Sequence, residues 1–169
     1  SVLPAALTLA EFDRLVEGGA MVIDGRDPDE FGHGHLAGSI NVGLNGRYAE
    51  FAGSVIPHDV DIVLVVDEGF ELEGKNRLAR IGFDRVVGFL QHPYIVMLDH
   101  PDRVRHASRM TAVEFDARRD EIDGLQLVDI RNPGEVALGA IGGATTIPVG
   151  QLPGRLAELD PAAPTVVYC

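Results

Sequence analysis

The only cysteine of this 169-residue chain, Cys169, is the residue best suited to covalent chemistry. A cysteine thiolate is a strong nucleophile that can attack a sulfur atom and hold it in a covalent intermediate. A lone cysteine is more often a small buried apolar residue, so the residue type alone assigns no role. Because one cysteine cannot form a disulfide within the chain, we expect a reducing compartment and a cytoplasmic protein.

Two aspartate–arginine pairs with the spacing D-x-R are the next candidates: Asp24 with Arg26, and Asp129 with Arg131. Charged side chains of this kind can line a site. They can also pair with each other and fix the loop that carries them, and we favour this supporting role.

The two pairs belong to an internal repeat. The segment Val22–Phe31 (VIDGRDPDEF) matches Leu127–Val136 (LVDIRNPGEV), and the same spacing continues into a glycine-rich segment in each copy. Upstream, Thr8 and Thr111 each begin a T-x-x-E pattern, the capping box that opens a helix. A match that keeps its register across several motifs indicates duplication of a whole structural unit.

Short apolar strands alternate with helical patterns in both copies. In the first copy we predict strands at 21–24, 39–42, 62–66 and 85–87, with helices at 9–17 and 71–81. In the second copy we predict strands at 126–129, 145–147 and 165–168, with helices at 112–119 and 152–159. This alternation predicts the α/β class, with a parallel sheet flanked by helices in each copy and functional loops at the carboxyl ends of strands. We place the domains at residues 1–101 and 102–169.

Charge and composition narrow the choice of partners. The formal net charge of −12 opposes binding to a phosphate backbone, so we expect no nucleic-acid partner. No apolar run reaches the roughly 18 residues of a membrane-spanning helix, and the N-terminus lacks the basic start of a signal peptide, so we expect no membrane partner.

Both copies resemble rhodanese (sulfurtransferase) domains. The D-x-R pairs and the segment Gly34–Gly38 (GHLAG) are similar to two motifs of that family. The segment Pro164–Cys169 resembles the family's strand that ends in the cysteine of a C-x-x-G-x-R loop, and the first copy has Ile62–Asp67 at this place. The resemblance implies that Cys169 is the catalytic nucleophile of the second copy. It also implies that Asp67 marks the degenerate site of an inactive first copy.

The resemblance implies a reaction as well. Rhodaneses move sulfane sulfur from a donor onto the cysteine and then to a thiophilic acceptor. The implied partners are a sulfane-sulfur donor and a thiol acceptor, with no cofactor, and Asp129 and Arg131 would support the site. Glu135 stands where thiosulfate-using members carry an anion-binding arginine, so we expect thiosulfate to be a poor donor.

The second copy has no counterpart of residues 67–87 of the first copy. We therefore expect it to be truncated at its catalytic strand, either because residues follow Cys169 in the native protein or because this copy is inactive. The stretch Leu78–Asp84 and the loop Ala49–Gly53 resemble the C-terminal part of fusions with a metallo-β-lactamase-like, persulfide-oxidising enzyme. An upstream domain of that kind is a candidate partner.

Other interpretations of the sequence stay open. His33 and His35 could suggest a metal, but two histidines in a loop without a third ligand are more often capping or hydrogen-bonding residues, and we expect no metal. A non-catalytic docking module is the main alternative to a sulfurtransferase. A phosphatase on the same fold is a weak rival, because those relatives have a longer loop between cysteine and arginine.

Overall fold

Each copy of the repeat begins with a helix that its own side chains cap. The Thr8 hydroxyl accepts from the N–H of Glu11 (3.4 Å), and the Glu11 carboxylate accepts from the N–H of Thr8 (2.8 Å). Thr111 and Glu114 repeat this arrangement at 3.2 Å and 2.7 Å. The threonine N–H and hydroxyl lower the pKa of each glutamate, because they stabilise its charged form. The capping boxes identified in the sequence therefore form in both copies.

The computed structural model describes residues 2–46 and 48–169, and the chain divides into two compact units, Ser1–Arg109 and Met110–Cys169. The strands of the N-terminal unit are β1 (Ala5–Leu7), β2 (Met21–Asp24), β3 (His35–Leu36), β4 (Ile40–Asn41), β5 (Ile62–Val65), β6 (Val86–Leu90) and β7 (Val104–Arg105). Its helices are α1 (Leu9–Glu17), α2 (Pro28–His33), α3 (Tyr48–Val55), α4 (Glu71–Ala79) and α5 (Pro93–Asp99). Five strands form a parallel sheet in the order β1-β6-β5-β2-β4, while β3 and β7 form a separate antiparallel pair.

The central strand β5 shows why this sheet needs helices on both faces. Ile62 and Leu64 pack into a core cluster with residues of α3 and α4, whereas Val63 and Val65 pack into a second cluster with residues of α1 and α5. All four side chains are almost completely buried. Since successive side chains of a strand point to opposite faces, a continuous apolar run is buried only when both faces are covered.

The C-terminal unit repeats part of this plan. Its strands are β8 (Gln126–Asp129), β9 (Thr145–Thr146) and β10 (Thr165–Tyr168), and its helices are α6 (Ala112–Arg118), α7 (Pro133–Val136) and α8 (Leu152–Arg155). The sheet is parallel with the order β10-β8-β9. Among the residues described, β10 pairs on one side only, whereas β5 in the N-terminal unit pairs with β2 and β6. The predicted α/β class with two parallel sheets is confirmed, and the second sheet is the smaller one.

Pairing near residue 105 decides where the units divide. Strand β7 pairs with β3, and the Ala107 N–H donates to the Gly32 carbonyl (3.0 Å), so residues 102–109 lie with the N-terminal unit. The boundary between the units falls after Arg109, whereas the domain boundary predicted from the sequence follows residue 101.

Four of the described helices, α2, α3, α5 and α7, lie where the sequence analysis predicted none. The segment 49–53, which the sequence analysis took as a loop, belongs to α3, and α5 follows the end of β6. Helix α5 begins with Pro93 at its first position and has seven residues, too short for a helical period to stand out in the sequence. None of the described helices is long and apolar enough to cross a membrane.

Candidate active site

Cys169 directly follows β10 and its side chain is exposed. The pairing of β10 with β8 sets Tyr168 opposite Asp129, and the Tyr168 carbonyl accepts from the N–H of Ile130 (3.0 Å). The thiol is therefore carried at the carboxyl edge of the sheet, next to the segment that contains the second D-x-R motif. This is the edge at which parallel α/β sheets place their functional loops.

Asp129 and Arg131 form a two-pronged ion pair. The Arg131 Nε donates to Asp129 Oδ1 (3.0 Å) and its Nη2 donates to Oδ2 (2.7 Å), while Nη2 also donates to the Gly139 carbonyl (2.9 Å). Asp129 is fully buried. The bonds from Arg131 hold the pKa of Asp129 far below its usual range, so the carboxylate stays charged. The pair thus ties the end of β8 to the loop that follows it, and the role of the two residues in supporting a site stays a prediction.

Tyr168 is a site residue that the sequence reasoning missed. Its ring lies over the guanidinium of Arg131, 5.4 Å from Cζ to the ring centroid, and its hydroxyl accepts from the N–H of Ile141 (3.1 Å). Its position immediately before the cysteine was the one available signal.

Glu135 has a structural contact that the sequence comparison did not anticipate. Its carboxylate accepts from the N–H of Asn132 (3.1 Å), and the two residues form the capping box of α7. Thus Glu135 stabilises the first turn of a short helix and puts a negative charge where the resemblance led us to look for an anion-binding arginine.

The N-terminal unit contains the same ion pair. Arg26 donates to Asp24 through Nε (3.0 Å) and Nη2 (2.7 Å), and its Nη2 donates to the Gly34 carbonyl (2.9 Å). A tyrosine ring again covers the guanidinium, but here it is Tyr94 of α5, 5.2 Å from the Arg26 Cζ. The two copies therefore share the pair and obtain the aromatic cover from different elements.

The predicted equivalence of Asp67 and Cys169 is wrong by one residue. Asp24 pairs with Val65 in the N-terminal unit, whereas Asp129 pairs with Tyr168 in the C-terminal unit. The residue after Val65 is Val66, which therefore takes the place of Cys169 and is buried in the core. The sequence could not show this one-residue shift, because the segments between the D-x-R motif and the strand differ in length between the two copies. Only the hydrogen-bond register of the folded sheet fixes which residues are equivalent.

Acidic side chains in and next to the loop after β5 accept hydrogen bonds from within the N-terminal unit. Asp67 accepts from the Tyr94 hydroxyl (2.7 Å), and the Gly69 N–H donates to the Glu71 carboxylate (3.0 Å). Burial of Tyr94 and its bond to Asp67 raise the pKa of Tyr94 to about 12. The adjoining pocket of about 490 Å³ is lined in its described part by Glu68 and Glu71 and by no thiol, lysine or arginine. The described lining of this pocket therefore offers neither a thiol nucleophile nor a lysine or arginine charge for an anion.

The two histidines of the glycine-rich loop are hydrogen-bonded to the backbone. The Nδ1 of His33 donates to the Asp29 carbonyl (2.7 Å), and the Nδ1 of His35 donates to the Phe31 carbonyl (2.9 Å). The His35 ring also stacks on Phe31 with 3.7 Å between centroids. In the part of the chain that the structure describes, no three His, Cys, Asp or Glu side chains are grouped to hold a metal ion.

Comparison with known proteins agrees with this repeated α/β plan. A family model described as the rhodanese-like domain matches residues 8–92 and 111–169. These segments cover most of both units, and the chain belongs to the rhodanese-like domain family. A search of curated proteins found no match.

Solved structures resemble the chain in fold. Thiosulfate sulfurtransferase from Pseudomonas aeruginosa is 21% identical with a TM-score of 0.49, and the match covers 98% of this chain but 36% of that protein, so the chain spans about a third of its length. The rhodanese-like domain of an Anabaena sp. protein is 19% identical with a TM-score of 0.51, covering 66% of this chain and 86% of that one. The CoADR-RHD protein of Bacillus anthracis is 25% identical with a TM-score of 0.50, covering 62% of this chain and 18% of that one.

Proposed function

We propose that the C-terminal unit is a sulfurtransferase that carries sulfane sulfur as a persulfide on Cys169. One observation carries the proposal: the chain's only thiol is exposed directly after the strand that pairs in register with the Asp129–Arg131 motif. A nucleophile needs both access to substrate and a defined position, and the end of a paired strand gives it both.

The proposed reaction has two displacements. The Cys169 thiolate attacks the outer sulfur of a persulfide donor, R–S–SH; a new S–S bond forms, the donor's S–S bond breaks, and the donor leaves as the thiolate R–S⁻. An acceptor thiolate then attacks the outer sulfur of the Cys169 persulfide and takes it, which regenerates the Cys169 thiolate. Electrons balance without an external oxidant or cofactor.

A thiol persulfide is the proposed donor class, in preference to thiosulfate. Glu135 adds a carboxylate where an anion-binding arginine would favour thiosulfate, and the whole chain has a net charge of −12. Repulsion of a doubly charged anion is therefore expected to exceed repulsion of a thiol persulfide.

The N-terminal unit has a supporting role in this proposal. Val66 takes the place of the cysteine. The Gly69 N–H already donates to the Glu71 carboxylate, so it is not free to bind an anionic sulfur group. These same features favour the second candidate function, a docking module that positions a partner enzyme. The resemblance to metallo-β-lactamase-like fusions makes a persulfide-oxidising domain of a larger sulfur-metabolism protein the proposed partner.

Sulfur transfer is tested with the whole chain. Incubation with a thiol persulfide should add the mass of one sulfur atom to the protein, and cyanide should then release it as thiocyanate. Cys169→Ser should abolish both steps, whereas Asp67→Ala should leave them unchanged because Asp67 cannot form the covalent intermediate. Thiosulfate should be the poorer donor at equal concentration.

Unchanged thiocyanate release in Cys169→Ser would falsify the sulfurtransferase proposal. A wild-type chain that takes up no sulfur from either donor would also contradict it, and the docking module would then be the better account.

A further inference from the structure

Tyr168 joins the end of β10 to two other segments of the C-terminal unit. Its carbonyl accepts from the N–H of Ile130 (3.0 Å), its ring covers the Arg131 guanidinium, and its hydroxyl accepts from the N–H of Ile141 (3.1 Å). Three attachments thus converge on the residue that immediately precedes Cys169.

The N-terminal unit obtains the aromatic cover of its arginine from another element. The position of Tyr168 is held there by Val65, which has no hydroxyl and no ring. The ring over Arg26 belongs to Tyr94 of α5. The counterpart of Ile141 is Leu36, which lies in β3 and pairs with Val104 of β7. The Tyr168 ring therefore supplies the aromatic cover that α5 supplies in the N-terminal unit, and its hydroxyl adds a contact to the Ile141 N–H.

Position matters for a nucleophile, because an in-line displacement requires the reacting sulfur atoms to be held in a fixed geometry. Cys169 follows Tyr168 directly, so contacts that hold Tyr168 in place also limit the movement of the thiol. The ring and the hydroxyl of Tyr168 contact residues outside β10.

We propose that Tyr168 is a positioning residue for Cys169: its ring and hydroxyl tie the end of β10 to Arg131 and to the loop 139–143, and so hold the thiol in place during both sulfur transfers. The inference rests on the proposed sulfurtransferase function for its kinetic part. Its structural part, the bond from the Ile141 N–H to the Tyr168 hydroxyl, can be tested without any activity.

The first experiment measures hydrogen exchange at the Ile141 amide. Tyr168→Phe keeps the ring over Arg131 and removes the acceptor that the described residues give this N–H, so exchange at Ile141 should become about tenfold faster. Tyr94→Phe is the matched control, since it removes the hydroxyl of the equivalent ring in the N-terminal unit. It should leave exchange at Ile141 unchanged.

The second experiment measures single-turnover sulfur transfer from a thiol persulfide, followed by intact mass. Tyr168→Phe should slow the rate constant for sulfur uptake about 3- to 10-fold, as expected for loss of one hydrogen bond. Tyr168→Leu, which also loses the ring, should slow it further. A merely structural role would lower the amplitude, by reducing the folded fraction, and would leave the rate constant unchanged.

The outcomes separate the two proposals. A wild-type chain that forms no persulfide contradicts the proposed function, and exchange at Ile141 still decides whether the attachment exists. Equal exchange at Ile141 in wild type and Tyr168→Phe overturns the inference. Equal rate constants in an active wild type and Tyr168→Phe also overturn it and leave the sulfurtransferase proposal standing.

Discussion

Two aspartate–arginine pairs recur with the same hydrogen bonds in the repeated units. The bond lengths agree between the copies, but the Arg26 side chain has 1% of its surface exposed and the Arg131 side chain has 21%. Both guanidiniums also donate to a glycine carbonyl of the following loop. A buried pair of this kind contributes little net stability as a whole, yet removing one partner leaves an uncompensated buried charge.

The buried pair of the N-terminal unit leads to a prediction about Asp24. We expect Asp24→Asn to lower the free energy of unfolding of this unit by about 3–5 kcal/mol, since Arg26 would lose its counter-ion in the core. Urea denaturation measures the change. As a control, Asp61→Asn removes the partner of Arg85 in a solvent-accessible pair and should cost about 0–1 kcal/mol. Equal effects of the two substitutions would show that burial of the first pair has no energetic consequence.

At the scale of elements, the contact between β1 and β6 depends on a glycine. Gly88 pairs with Ala5, and a Cβ atom built on Gly88 would lie 2.6 Å from the Leu7 Cδ1 and 2.8 Å from the Ala5 carbonyl oxygen. The second of these contacts is to backbone and cannot be relieved by a change of rotamer. Strand β1 can therefore approach β6 only because this position has no side chain.

We expect Gly88→Ala to destabilise the N-terminal unit by about 1–3 kcal/mol, because the added methyl group forces β1 away from β6. Thermal denaturation measures the loss, and hydrogen exchange should show faster exchange along β1. Gly53→Ala in α3 is the control. A Cβ atom there meets nothing closer than 3.9 Å, so a helix interior should gain up to about 1 kcal/mol from the change. The idea fails if Gly88→Ala is as stable as the wild type.

At the scale of the whole molecule, the two units have unequal cores. The N-terminal unit buries two clusters, one on each face of its sheet. In the C-terminal unit the buried apolar residues are Phe115, Leu127, Val128 and Ile147. The C-terminal unit therefore shows fewer buried apolar contacts than the N-terminal unit.

We therefore expect the chain to unfold in two steps, with the C-terminal unit unfolding first. Native-state hydrogen exchange in rising urea should show the amides of β8 and β10 exchanging at lower denaturant than those of β5, because local stability follows buried apolar contact. A single transition in which all amides exchange together would contradict this expectation.

Much of the fold could be read from local signals in the sequence. The capping threonines set the starts of two helices, and the apolar runs gave β2, β8 and β10 with their observed bounds. Capping and alternation act within a few residues, so the sequence determines them before any tertiary contact forms. The position of Cys169 at the end of a strand followed from the same signals.

The tertiary structure decided what depends on contacts between distant segments. The register of β5 against β2 put Val66, and not Asp67, at the place of Cys169, and no local pattern encodes a register. The bond between Tyr168 and Ile141 spans 27 residues and exists only after β10 has paired with β8. Strand and helix types follow from neighbours in the chain, whereas the partners of a side chain follow from which segments the folded sheet brings together.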